Sequence, residues 1–530
     1  MTQVAANQTG KIARAASTVS LAVFASRVLG LVREQIFAGF FGAGYAIDAF
    51  VVAFRIPNLL RDLFAEGALS AAFVTVFTDY DQKQGAERTW RLANNVIVCL
   101  ILLLGGLMAA GVFFSSQLVS LMAPDFGQVS GKLDLTTLMT RIMFPFLPLV
   151  SLAAVAMGIL NAKGKFFIPS MASGFFNLGI IIAGLALSLA FQRLGIHPIV
   201  GMAWGAVVGG LLQLAVQLPL LGRVGFQFRW VLDLRDEGLR RIAKLMLPAV
   251  VGLSAIQINI FINTFYAASC PQGSVSWLNY AYRLFHLPMG LFGVALMVAT
   301  TPVVSRHAAS QDLAALKEAL RSSLSMAFLV SLPAACGLIF LSRPIIALIY
   351  QHGRFTSTDT TQTAAALALY ALGLLAFAAV KIMVPVFYAL NNTRIPVIGS
   401  FLTVAGNLIF INLTLAPLQH LAIALSTSLS MVLNFLFLAA MLYRKLGDYG
   451  IGNLLGILLK AALASFLMGA AVYYAQGLLA ARLGAGLAGQ GLSLAAAILL
   501  GLGLYGGLAS LLRIGEFQEL LRLLQRRGRG

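Results

Sequence analysis

The chain has 530 residues, of which 59% are hydrophobic and only 10% charged, with a mean hydropathy of +0.89. Soluble domains carry about 25% charged residues, so this composition excludes a water-soluble globular protein and predicts an all-α polytopic membrane protein. The formal net charge of +19 does not indicate a nucleic-acid partner, because the basic residues sit in short loops between apolar runs, as topology signals do. Cys99, Cys270 and Cys336 lie in or beside apolar segments, without metal-ligand spacing or a disulfide framework. No metal and no cofactor is expected.

Residues 1–16 are polar, carry Lys11 and Arg14, and lead straight into a long helix. They are expected to stay in the mature protein and not to form a cleavable signal. The first two spans, 17–40 and 46–78, contain a stretch that apolar segments normally avoid. From Phe24 to Gly67 it reads FASRVLGLVREQIFAGFFGAGYAIDAFVVAFRIPNLLRDLFAEG, with Arg27, Arg33, Arg55 and Arg61 among Phe, Leu, Val and Ala. A charge near the bilayer centre costs about 3 kcal/mol on insertion scales, so these arginines are expected to face water, a counter-ion or a ligand. We read them as lining a polar cavity for an anionic, lipid-linked substrate. Glu34, Asp48, Asp62 and Glu66 are available ion-pair partners. A short turn joins the two spans, so Arg33 and Asp48 are expected to meet there as an outer gate, and Glu66 is a further candidate for an ion pair.

A window of roughly 20 apolar residues places the following spans at 93–114, 137–160, 170–191, 199–221, 242–268, 276–304, 323–342, 362–389, 396–415, 421–442, 454–477 and 492–512, about fourteen in all. Pro57, Pro288, Pro302 and Pro385 are expected to kink their spans around a cavity, where broken backbone is tolerated. With the N-terminus in the cytoplasm and sides alternating, 25 of the 37 Lys and Arg residues fall in cytoplasmic segments. Five, Lys132, Arg193, Arg343, Arg354 and Arg482, fall on the opposite side. Under the positive-inside rule both termini are then cytoplasmic. The topology rule accounts for the basic linker Arg223–Lys244, whose charge also suits anionic headgroups. The tail alternates Leu pairs with arginines and is expected to lie along the cytoplasmic interface.

The second and eighth spans match at an offset of 228 residues: Ala53-Phe54-Arg55-Ile56 with Ala281-Tyr282-Arg283-Leu284, Leu59 with Leu287, and Leu63-Phe64 with Leu291-Phe292. The fourth and tenth echo each other at nearly the same offset, with Leu160-Asn161 and Asn177-Leu178 recurring as Leu390-Asn391 and Asn407-Leu408. Paired spans run in the same direction, so the repeat is parallel, which predicts a substrate site at the lobe interface and alternating access. The expected organisation is an N-lobe at 1–221, a cytoplasmic linker at 222–241, a C-lobe at 242–442, two further helices at 443–513 and a basic tail at 514–530. Arg283 is the counterpart of Arg55. Guanidinium suits a pyrophosphate because its planar fork binds phosphate oxygens bidentately. His286, one turn past Arg283, and Lys381 are candidate coupling residues. There is no Walker A sequence, HExxH or supported Ser–His–Asp set, so no enzyme is expected.

SRVLG at Ser26–Gly30, the DAF…PNLLR pattern at Asp48–Arg61, FAEGA at Phe64–Ala68, GSVSW at Gly273–Trp277 and the run Leu287–Leu296 resemble the MurJ lipid II flippases. This family lies within a wider group of multidrug, oligosaccharidyl-lipid and polysaccharide exporters. The likeness runs from about residue 15 to 515. It implies transport of lipid II, an undecaprenyl-pyrophosphate-linked disaccharide pentapeptide, from the inner to the outer leaflet of the bacterial cytoplasmic membrane. It implies pyrophosphate contacts from positions matching Arg27, Arg33, Arg61 and Arg283, roles for Asp48 and Asn58, and a lipid-tail groove on the last two helices. Where some relatives have acidic residues around the eighth-span arginine, this chain has Tyr282 and His286. Where some have sodium-site aspartates, it offers Asn259, Asn263, Asn407 and Asn412, with Lys381 in the same lobe. Membrane lipids are the other expected partners, with the chain a monomer. Competing readings are a flippase for another polyprenyl-linked glycan, a cation-coupled multidrug exporter, which the arginines disfavour, and a scramblase or structural protein, which leaves them unused.

Overall fold

The computed structural model describes residues 2–63, 68–484 and 486–518. Every regular element among them is helical, as the hydropathy pattern requires of a chain that must pair its backbone groups inside a bilayer. Two compact units divide at Val275 and Ser276.

The first unit contains α1 (Thr2–Phe41), α2 (Tyr45–Arg61), α3 (Ala68–Lys83), α4 (Ala86–Phe113), α5 (Ser115–Met122), α6 (Lys132–Met143), α7 (Phe146–Ala162), α8 (Phe167–Arg193), α9 (Ile199–Ala215), α10 (Leu218–Arg223) and α11 (Glu237–Ala268). The next helix, α12 (Ser274–Pro288), runs into the second unit. That unit continues with α13 (Val294–Ala309), α14 (Leu313–Phe340), α15 (Ser342–Tyr350), α16 (Ser357–Ala371), α17 (Leu374–Ala389), α18 (Arg394–Leu418), α19 (His420–Leu446), α20 (Ile451–Leu483) and α21 (Leu487–Leu511). The seventh predicted span, α11, packs against α3, α4 and α5 within the first unit.

On length and composition, eleven described spans can cross a membrane, or twelve if the bent pair α16–α17 counts as one. The expected fourteen therefore depends on the two predicted spans outside that set, α1 and α2–α3. These are the charge-bearing ones, and residues 64–67 between α2 and α3 lie outside the described residues.

Glycine sets the tightest helix contact. Gly201, Gly205 and Gly209 recur every four residues on α9 and meet Gly179 and Gly184 of α8. A Cβ at Gly205 would sit 2.7 Å from the Gly184 Cα, so only small residues allow this approach. Elsewhere the first unit packs Phe73, Phe77, Leu92 and Leu104 around Leu147 and Ile159, and the second packs Phe328, Ile382 and Phe387 with Leu438 and Leu442.

The breaks have local causes. Pro288 ends α12, and the chain passes through a five-residue π-helical turn, Met289–Gly293, before α13. Asp62 and Leu63, at the matching place in the second span, are also π-helical, so the repeat seen in sequence has a backbone counterpart. The α16–α17 pair bends by 41° at residues 372–373, upstream of the expected Pro385 kink. There Ser428 of α19 donates to the Leu369 and Tyr370 carbonyls at 2.7 and 3.1 Å, pairing acceptors at the bend. Gly373 leaves room for it, since a Cβ there would lie 2.9 Å from the Ser428 Oγ.

Candidate functional site

The SRVLG motif orients α1. The Ser26 and Ser173 hydroxyls lie 2.8 Å apart, Asn177 donates to the Ser26 carbonyl at 3.3 Å, and Gly30 faces the same Asn177. Ser26 and Gly30 thus fix one face of α1 on α8. Arg27 is exposed, a costly placement in an apolar helix unless water or an anion meets it. Arg33, further along, is buried and forks onto Glu34, with Nη2 and Nε at 2.6 and 3.2 Å from the same oxygen.

Asp48 stands in the first turn of α2, where the helix dipole favours a carboxylate. Among the described residues, Arg33 pairs with Glu34, and Asp48 pairs with a cation the sequence did not single out, Lys132. Lys132 Nζ lies 3.1 Å from Asp48 Oδ2, and the two residues are 2% and 1% exposed. The ammonium also sits 4.1 Å from the centroid of the Phe126 ring. The same carboxylate oxygen accepts the Gly273 N–H at 2.8 Å, with Gly273 at φ 103°, a conformation open to glycine. Asp48 therefore ties α2 both to the start of α6 and to the turn that precedes α12. Charge counting had treated Lys132 as a loop cation. A signal was present, because Lys132 opens α6, where the dipole disfavours a positive charge.

Lower on α2, Arg61 and Asn58 converge on one carboxylate. Arg61 reaches Asp62 at 2.7 and 3.1 Å, Asn58 donates to it at 3.3 Å, and the guanidinium carbon stands 5.8 Å from the Phe146 centroid. Arg55 is half-buried. Glu66, the other gate candidate, lies outside the described residues.

In the second unit, α12 buries Tyr280, Ala281, Leu284 and Phe285 and leaves Arg283 exposed. Trp277 anchors its first turns by donating to Asp359 at 2.8 Å, and Asp359 also closes the capping box of α16 with Thr356. His286 meets the Tyr282 ring edge-on at 4.3 Å, and Tyr282 packs on Tyr370. Lys381 is half-buried on α17. A cavity of about 870 Å³ opens between the α14–α15 corner and α20–α21, with Phe340, Arg343, Tyr473, Tyr474, Gln476 and Gln490 among its lining. Among the described residues no three His, Cys, Asp or Glu side chains gather as metal ligands.

These features coincide with a known family. A family model described as "Lipid II flippase MurJ" matches residues 37–488. A lipid II flippase MurJ of Burkholderia cenocepacia is 37% identical over 82% of this chain and 84% of its own length. A probable lipid II flippase MurJ of Vibrio cholerae is 33% identical over 94% and 95%. Among solved structures, a lipid II flippase MurJ in an inward closed conformation superposes with a TM-score of 0.77 at 27% identity, covering 95% of this chain and 99% of that one. An inward-facing multidrug transporter of the MATE family, with a TM-score of 0.64 at 15% identity, shares the fold alone. The chain is therefore a multi-pass membrane transporter, not an enzyme, and it belongs to the MurJ lipid II flippase family.

Proposed function

We propose that this chain moves lipid II from the inner to the outer leaflet of the bacterial cytoplasmic membrane by alternating access. The observation that carries the reading is the exposure of Arg27 and Arg283 on apolar helices held by other faces, through Ser26 on α8 and through buried Ala281 and Phe285. Each is an exposed guanidinium on an apolar helix, which suits a pyrophosphate held bidentately. Arg61 and Asn58 join them by exchanging Asp62 for a phosphate oxygen, and Arg33 serves mainly as the buried partner of Glu34. The closing element of the outer side is centred on Asp48, with Lys132 and the Gly273 N–H about it. Both termini are cytoplasmic, and the polyprenyl tail lies along 443–513. The membrane potential, worth about 2.3 kcal/mol per charge per 100 mV, drives the reset, with His286 and Lys381 as the groups nearest in kind to a coupling role. The transporter works as a monomer.

The test is translocation of labelled lipid II in cells depleted of their own flippase and supplied with this chain. Arg27→Ala/Arg283→Ala is expected to abolish translocation at unchanged membrane abundance. Normal transport by the double variant would sink the arginine clamp. Failure of the unaltered chain on lipid II, with activity on another polyprenyl-linked glycan, would overturn the substrate.

A further inference from the structure

The segment between α10 and α11 is held in a way that a simple connector does not need. Two adjacent side chains of α4, Asn94 and Asn95, are almost wholly buried and grip its backbone. Asn94 donates to the Gln227 carbonyl at 3.0 Å and accepts the Arg229 N–H at 2.9 Å. Asn95 donates to the Asp233 carbonyl at 2.8 Å and accepts the Asp233 N–H at 2.9 Å. Each amide thus supplies the donor–acceptor pair that a neighbouring strand would. Phe226 adds an edge contact to Trp90 at 5.8 Å.

What the clamp displays is apolar. Phe228, Trp230, Leu232 and Leu234 are all exposed, Trp230 by 62%, while Val231 and Asp233 between them are partly covered. Phe228, Trp230 and Leu232 recur at every second residue, and Leu234 follows in the turn before α11. An aqueous connector has no reason to present a Phe, a Trp and two Leu, and to spend two buried asparagines on holding them out. Two neighbouring acids are occupied: Asp233 lies 3.5 Å from Arg91, and Asp236 caps α11 through the Leu239 N–H at 2.8 Å. Arg223, Arg229, Arg235 and Arg240 are exposed around the stripe. The segment leaves one membrane helix at Arg223 and enters the next, so it lies close to a headgroup layer.

We propose that residues 226–235 form an interfacial clip, with Phe228, Trp230, Leu232 and Leu234 seated at the headgroup–acyl boundary and Arg229 and Arg235 on anionic phospholipid phosphates. The occupant is a lipid surface, because aromatic residues flanked by arginines next to spanning helices match that boundary in both polarity and charge. The asparagine clamp keeps the stripe facing the leaflet.

The test uses the full chain in vesicles of phosphatidylcholine with or without phosphatidylglycerol, comparing wild type with Trp230→Phe so that the difference reports Trp230. Lipids brominated near the top of the acyl chains are expected to quench that difference signal, and aqueous iodide is not. Brominated phosphatidylglycerol should quench in preference to brominated phosphatidylcholine, and Arg229→Gln and Arg235→Gln should each reduce the preference about five-fold. Asn94→Ala/Asn95→Ala should lower the lipid quenching. A Trp230 signal quenched by iodide and untouched by brominated lipid would overturn the proposal and leave a soluble protein as the occupant. Quenching indifferent to headgroup charge would overturn the arginine–phosphate half.

Discussion

Replacing Lys132 by methionine isolates the energy of the buried Asp48–Lys132 pair. The change keeps most of the side-chain volume and removes the charge. Both residues are almost fully buried, with Nζ and Oδ2 3.1 Å apart, so Lys132→Met removes the ammonium from a carboxylate in a low-dielectric setting. Removing one partner of such a pair costs roughly 3–5 kcal/mol, and the ammonium–Phe126 contact at 4.1 Å adds about 2 kcal/mol where it is desolvated. The Gly273 N–H still supports Asp48, which places the expected loss near the lower end, about 3 kcal/mol, or roughly two orders of magnitude in the folding constant. Asp48→Asn keeps an acceptor for Gly273 while removing the charge. The double variant should then lose at least about 2 kcal/mol less than the sum of the singles, because neither leaves the other unpaired. Reversible unfolding in bicelles, read for the four members of the cycle, measures this. A Lys132→Met loss below about 1 kcal/mol, the range of an exposed pair, or simple additivity would refute the reasoning.

Other outcomes follow from the same contacts. Gly205→Ala should lower stability by about 1–3 kcal/mol, since the new methyl meets the Gly184 backbone and not a movable side chain; an unchanged melting temperature would contradict the α8–α9 packing. Tyr505→Phe removes the hydroxyl that donates to the Leu329 carbonyl at 2.8 Å and should cost about 1 kcal/mol, with faster hydrogen exchange confined to α14 and α21. Asp448 accepts from the Ile451 and Gly450 N–H groups, which hold its carboxyl below the usual carboxylate range. Its stabilisation of the α20 start is therefore present at neutral pH and lost as pH falls through the lowered folded value. Asp448→Asn should remove that share of the acid sensitivity in thermal melts taken across the acidic range.

Much of the molecule was legible along the chain. Twelve of the predicted spans correspond to helices or helix pairs that meet the length and composition of membrane crossings, because mean hydropathy over roughly 20 consecutive residues is a local property. The repeat around Arg55 and Arg283 was legible too, and it reappears as π-helical turns in both spans. The motif SRVLG carried its own packing logic, with Ser26 and Gly30 one turn apart and so on one face of α1. The bend in the tenth span was misplaced to Pro385, because the feature that permits it is Ser428, a side chain from a different helix.

Composition, charge placement and motif spacing by themselves determined that this is a polytopic helical transporter with costly arginines in its first, second and eighth spans, and they pointed to its family. Only the tertiary structure decided which charge meets which. Asp48 had Arg33 as its nearest cation across a short turn, and the fold brings to it Lys132, 84 positions along the chain, together with the Gly273 backbone. Hydropathy and helical period specify which face of a helix is buried, but a buried charge chooses among every helix that packs against that face. That choice depends on rotations and crossings set by distant contacts such as the glycine seam of α8 and α9, which no local window contains.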